Sequence, residues 1–303
     1  MSTVFVGSYF NSLKKTIDKI VDDPRDNLES SSVMKQLFEE SAMEDAFIDD
    51  LETSGPGYVQ EKPEGEALSM GTLKEGYRTR YLARTYALGL AITEELMEDE
   101  KYDEAIAAAR RLKVAAWKTI DYDATNVFIR GFSSSYVGGD GLSLWNASHT
   151  IPNGSTFSNT MATPLAPSVA ALQVARAQIR KFPGHDGLPN NSYRMEKITF
   201  PVDQEEAWEV ITGSVKKPDA GEFNAINVFA SMKLKLIPNV FWSSTTTNWA
   251  IITNADNGFK WKWRRRMRSK SWVNNEQDIM KYAVDYRSVR LWSDPRCTLG
   301  VNA

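Results

Sequence analysis

Two histidines, His149 and His185, and one cysteine, Cys297, are the chain's whole supply of imidazole and thiol. A His/Cys zinc cluster is excluded by count, and a Ser-His-Asp site would have to use one of two histidines. His149 follows Ala147-Ser148 in a hydroxyl-rich stretch. There it reads more simply as a hydrogen-bonded residue of a packed loop. Gly138, Gly139 and Gly141 lie near one another, but without Gly-x-x-x-x-Gly-Lys-Ser/Thr or Rossmann spacing. Glu94 and Glu98 stand four apart, where a helix start accounts for them better than a di-metal site does. No catalytic residue, metal site or cofactor is expected, and the chain does not read as an enzyme.

The loudest charged feature lies near the C-terminus. Lys260, Lys262, Arg264, Arg265, Arg266, Arg268 and Lys270 interleave with Trp261, Trp263 and Trp272. Cations alternating with aromatics suit a single-strand nucleic-acid surface. The same alternation is a half-buried strand with tryptophans inward and cations outward. The outward row could meet DNA phosphates, pair with acidic groups of this or a neighbouring copy, or remain solvated. Residues 1–100 carry 21 acidic and 10 basic side chains, and residues 101–303 carry 18 and 26. Opposite charge on two parts of one chain supports head-to-tail contact between copies.

These groups must be held by a definite order of elements. Residues 1–54 read as an N-terminal arm with two amphipathic helices, Val4 to Val21 and Val33 to Leu51, separated by Pro24. Residues 54–76, rich in Gly and Pro, read as an extended excursion. Tyr77 to Ile92 then alternates as a strand, with Arg78, Arg80 and Arg84 on one face. Thr93 resembles an N-cap for a long helix over 99–131, along which Tyr102, Ile106, Ala109, Leu112, Ala116, Ile120, Ala124 and Phe128 trace one face. A loop follows. Next come a helix opening at Pro167-Ser168, a buried strand from Met195, a short helix from Glu205, and strands at 234–237, 249–252, 259–263 and 279–292.

Apolar residues make up 42% of the 303 and charged residues 25%, a globular composition. No window approaches a membrane span, and the first residues lack a signal-peptide pattern. A single cysteine suits a reducing compartment.

Two stretches carry a family resemblance. Tyr77 to Asp99 passes from an aromatic, Gly-containing strand through Thr93-Glu94-Glu95 to an acidic helix start. Asp140-Gly141-Leu142-Ser143-Leu144-Trp145-Asn146-Ala147-Ser148-His149 is similar to an Asp-Gly-x-x-Leu-Phe-x-x-x-His loop, with Trp145 in the aromatic place. Together they resemble the major capsid proteins of tailed bacteriophages, in the branch of Mu-like major head subunits. The resemblance implies an α+β capsid fold: an arm over 1–54, an extended β-hairpin loop over 55–82, and a peripheral domain over 83–164 holding the spine helix. It further implies an axial α/β domain over 165–260 and a return to the peripheral domain over 261–303. The implied function is self-assembly as hexamers and pentamers into an icosahedral head enclosing double-stranded DNA, built in the host cytoplasm without a membrane. Portal, scaffold or decoration proteins would be further partners. The extended loop would overlap a neighbour through Tyr58, Glu61, Lys62, Glu64, Glu66, Lys74, Glu75, Arg78 and Arg80. Asp140, Gly141, Trp145 and His149 would form the post-spine loop. A cellular compartment shell of encapsulin type, enclosing protein cargo, and a nucleic-acid-binding protein using residues 260–272 are the alternatives.

Overall fold

The computed structural model describes residues 15–16, 28–93, 102–218, 225–242, 247–274 and 279–302. Apart from residues 15–16, which are helical, the expected first arm helix lies outside them, as does the helix start at 94–101. The chain folds as two compact units.

The first unit comprises the described residues of Met1–Phe47, Leu82–Ala124 and Trp261–Arg290. Its described elements include a five-residue helix, α1 (Val33–Leu37), and a short strand, β1 (Glu39–Ala42). Strands β2 (Phe47–Thr53) and β3 (Glu75–Leu82) form a hairpin that belongs almost wholly to the second unit, and the first unit resumes in β4 (Arg84–Thr93). The expected second arm helix therefore stops after one turn. Beyond Phe38 the chain turns extended, and the Met43 amide donates to the Trp263 carbonyl at 2.9 Å. Pairing with a long neighbouring strand outweighs marginal helix propensity.

The long helix α2 spans Tyr102–Ile129, about 42 Å at 1.5 Å per residue. It ends two residues before Gly131. Ala109, Leu112, Ala116, Ile120, Ala124 and Phe128 are buried at three- and four-residue spacing, as the sequence pattern requires. Asp121 accepts from the Ser32 hydroxyl at 2.5 Å and the Met34 amide at 3.1 Å, which ties α1 to this helix.

The strand expected over 259–263 is much longer, β10 (Phe259–Asn274), and is followed by β11 (Ile279–Trp292). The sheet order is β1-β10-β11-β4. β4 pairs antiparallel with β11 from Thr93↔Ile279 to Arg84↔Ser288. Tyr86 and Tyr286, directly opposite, stack with centroids 5.1 Å apart.

The second unit comprises Ile48–Tyr81, Thr125–Lys260 and Leu291–Ala303, of which the described residues are treated. A small hairpin, β5 (His149–Thr150) with β6 (Thr156–Phe157), follows the post-helix loop. Helix α3 (Val169–Ile179) is capped by Ser168, whose hydroxyl accepts from the Ala171 amide at 3.0 Å. The central sheet collects β7 (Met195–Pro201), β8 (Lys235–Asn239), β9 (Trp249–Thr253) and β12 (Thr298–Val301) in the order β12-β9-β7-β8. Helices α4 (Glu205–Gly213) and α5 (Val228–Met232) complete the unit. All five residues of β9 are buried, the continuous apolar run of a strand covered on both faces. Val169, Leu172, Ala175 and Ile179 of α3 join Phe200, Trp208, Trp249 and Leu299 in one core. No helix among the described residues is long and apolar enough to cross a membrane.

Candidate functional site

The β2–β3 hairpin brings together the residues expected of an extended loop. Asp49 on β2 accepts from Arg80 at 2.6 and 2.8 Å and also from Arg78. Hydrogen bonds from Arg80, joined by Arg78 and both positive charges, hold its carboxyl well below the usual range. Both arginines are more than half exposed, so this clamp fixes register more than it stabilises. At the stem's end the Ser54 amide donates to the Lys74 carbonyl at 2.9 Å, and the Lys74 amide donates to the Ser54 hydroxyl at 2.8 Å. Residues 55–73 thus leave and re-enter through one stitched neck.

Within that excursion Glu61, Lys62, Glu64 and Glu66 are exposed. A type II turn at Pro63–Glu66 reverses the chain, with the Glu66 amide 3.3 Å from the Pro63 carbonyl and Gly65 at φ 83°. Tyr58, Val59, Leu68, Met70 and Leu73 are each at least two-thirds exposed. So many apolar side chains on one segment mark a surface built to be covered.

The hairpin root rests on Arg296, which is fully buried. Its Nε donates to both Asp294 oxygens at 2.7 and 2.9 Å, and Nη1 to the Pro183 carbonyl at 3.3 Å. Its Nη2 donates to Glu52 of β2 at 3.2 Å and to His185 Nδ1 at 2.8 Å. Asp294 already neutralises the guanidinium, so Glu52 is poorly compensated. Burial first, and then the charges of Asp294, Asp140 and Asp50, push its carboxyl up to about 7 against the pull of Arg296. Burial also lowers His185, with Arg296 adding to the effect.

In the post-spine loop Gly141 adopts φ 76°, and Asp140 accepts from the Leu142 amide at 3.1 Å. The other Asp140 oxygen meets His149 Nδ1 at 2.6 Å, while His149 Nε2 lies 3.2 Å from the Leu144 carbonyl. Both ring nitrogens are occupied by these structural acceptors, leaving no nitrogen to activate a nucleophile. Trp145 is buried, and its indole donates to the Thr298 hydroxyl at 3.2 Å. Cys297 is buried, which pushes its thiol well above the ordinary value and makes it inert. No group of three or more potential metal ligands occurs among the described residues.

The basic strand alternates as expected, with Trp261 and Trp263 buried and Arg264, Arg266, Arg268 and Lys270 exposed. Much of its charge is used within the chain. Buried Asp285 receives Arg265, Arg268 at 3.1 Å and Lys270 at 3.4 Å, and Arg266 meets Glu40 at 3.1 Å. Burial would raise the Asp285 carboxyl, but hydrogen bonds from Arg268 and Lys270 and the charges of Arg265 and Arg268 outweigh it and lower it. Lys260 donates to Asn257 at 2.6 Å, whereas Lys262 and Arg264 have no side-chain partner among the described residues.

A family model described as "Phage capsid protein" matches residues 76–300, three-quarters of the chain. The chain belongs to the phage capsid protein family. This capsid protein is a structural component of a virion, not an enzyme. No curated protein sequence matches it. Solved structures agree on the fold. A chain of Microbacterium phage Oxtober96 superposes with a TM-score of 0.56 at 9% identity, covering 89% of this chain and 90% of that one. The capsid of the native GTA particle gives 0.55 at 14% identity, covering 93% and 94%. The capsid of the cyanophage P-SCSP1u gives 0.55 at 9%, covering 90% and 88%.

In this capsid protein the hairpin residues Arg78 and Arg80 share one partner, and Asp140 and His149 meet directly. Tyr58, Glu61, Lys62, Glu64 and Glu66 sit together on the excursion, while Lys74 and Glu75 belong to its neck and stem. The sequence pattern gives Arg296 no role. Arg296 lies in a short turn, Pro295–Cys297, where nothing in the local pattern marks it. The arginines around the end of α3 also went unremarked.

Proposed function

We propose that copies of this chain assemble as hexamers and pentamers into an icosahedral phage head that encloses double-stranded DNA. The excursion over residues 55–73 is the part that reaches a neighbouring copy. One observation carries the reading: a stitched neck presents a cluster of apolar and acidic side chains that the described residues leave exposed. Family membership supplies the setting, and many weak contacts summed over a closed shell supply the stability.

In this reading the arm, the extended loop and a peripheral domain around α2 precede an axial domain over residues 165–260. Residues 261–303 return to the peripheral domain. Lys262 and Arg264, which have no side-chain partner among the described residues, are the groups of the basic strand offered to DNA or another copy. Portal, scaffold and decoration proteins are its further partners, and assembly takes place in the host cytoplasm.

Deleting residues 57–73 spares β2, β3 and the neck. The expected result is a subunit with an unchanged thermal melt that forms no closed shells by electron microscopy. Normal shells from this variant would refute the role given to the excursion.

A further inference from the structure

The end of α3 carries a feature that neither the fold nor the family match accounts for. Arg176 in the last turn, Arg180 at the C-cap and Arg194 just ahead of β7 surround a cavity of about 250 Å³. Its remaining wall is apolar, with buried Tyr193 and Met195 and half-buried Met232. None of the three guanidiniums has an ion-pair or hydrogen-bond partner among the described residues. By contrast Arg78, Arg80, Arg265, Arg266, Arg268, Arg290 and Arg296 are all paired. The negative end of α3 accounts for a cation in its last turn. It does not account for a third arginine arriving from a separate segment. Three like charges around one concavity repel each other until an anionic group enters.

The excursion offers the complement. Glu61, Glu64 and Glu66 are exposed and have no side-chain partner among the described residues, and Leu68 and Met70 stand bare a few residues on. Three carboxylates followed by two apolar side chains match three guanidiniums over an apolar wall. Within one copy no excursion residue lines the cavity.

We propose that this arginine-rimmed cavity is the receptor for residues 61–70 of a second copy of the chain. The proposal rests on the reading that the excursion reaches a neighbour, and it names the site that receives it. Bidentate guanidinium–carboxylate pairing gives the contact its orientation, and burial of Leu68 and Met70 gives it area. Such a contact is weakened by salt.

A charge swap in the full-length chain tests it. Arg176→Glu, Arg180→Glu and Arg194→Glu together, and separately Glu61→Lys, Glu64→Lys and Glu66→Lys together, are each expected to lower the yield of closed shells at least tenfold. Combining the two sets is expected to restore most of the yield. Wild-type yield from the cavity reversal, or a combined variant no better than either parent, overturns the proposal. Intact shells that retain less DNA would mean that phosphate fills the cavity, and that too overturns it. Should the reversed cavity fail to fold, Met70→Cys with Met232→Cys in a Cys297→Ser background decides. A disulfide between copies in assembled shells supports the proposal, and its absence overturns it. Deletion of residues 57–73 separates the two failures. If the deletion abolishes shells while the cavity reversal does not, only the receptor assignment falls. If the deletion assembles normally, the role of the excursion falls with it.

Discussion

His149 and Asp140 meet at 2.6 Å inside the protein, with side chains 1% and 5% exposed. The second imidazole nitrogen is 3.2 Å from the Leu144 carbonyl, so the ring bridges two parts of the post-spine loop. The histidine that the sequence reads as a hydrogen-bonded residue of a packed loop is a structural clamp.

Replacing His149 by alanine leaves the Asp140 carboxylate without its imidazole partner and the Leu144 carbonyl without one of its donors. Removing one partner of a buried polar pair costs about 2–4 kcal/mol. Urea unfolding of the dispersed subunit should show a lower midpoint with an unchanged slope. A shift below about 0.5 kcal/mol would count against the clamp.

Glu52 gives the subunit a pH dependence of definite sign. Its folded-state carboxyl titrates near 7, above the ordinary 4.5, so the folded state holds more protons across that window. Stability therefore falls as pH rises from about 4.5 to about 7. Glu52→Gln keeps an acceptor for Arg296 but removes the charge. It should flatten that fall and raise stability at pH 8 by about 1–3 kcal/mol. A melting series from pH 4.5 to 8 on both proteins measures it, and parallel curves would contradict the assignment.

Trp145 fits only because Gly131 and Gly300 lack side chains. A Cβ on Gly300 would lie 2.2 Å from the indole ring, and one on Gly131 would lie 2.3 Å from it. Gly300→Ala should destabilise by about 1–3 kcal/mol through overpacking. Pairing it with Trp145→Leu should recover part of the loss in a double-mutant cycle, because the two changes share one space.

Asp285 gathers three cations on β10, and its lowered carboxyl ties that stability to the charged form. The contribution is present above the ordinary value of 3.8 and is lost as pH falls through the lower folded value. The cations are a third to a half exposed, so Asp285→Asn should cost only about 1 kcal/mol at neutral pH. The variant should also bind DNA more tightly at low salt, since Arg265, Arg268 and Lys270 are released. A gel-shift titration compares the two proteins.

Much of this was legible in the residues. The three-four spacing from Ala109 to Phe128 locates α2, Ser168 locates the start of α3, and the Trp261/Trp263 alternation gives the face of β10. Local pattern misled at Val33 to Leu51, where the apolar spacing suits a helix but pairing of β1 with β10 and of β2 with β3 decides. The same limit hid the full length of β10: beyond Trp263 the inward positions become Arg265, Met267, Ser269 and Ser271, of which only Met267 is apolar. Asp140 and His149 are near enough in sequence for their motif to be seen. Glu52, His185, Asp294 and Arg296 are joined only by the fold, and so are Arg176 and Arg194.

Electron microscopy of the purified full-length chain beside its 57–73 deletion tests the central claim most directly. The account predicts closed shells from the intact chain and only folded, unassembled subunits from the deletion. An intact chain that stays monomeric under all assembly conditions, or a deletion that closes shells as readily, would contradict it.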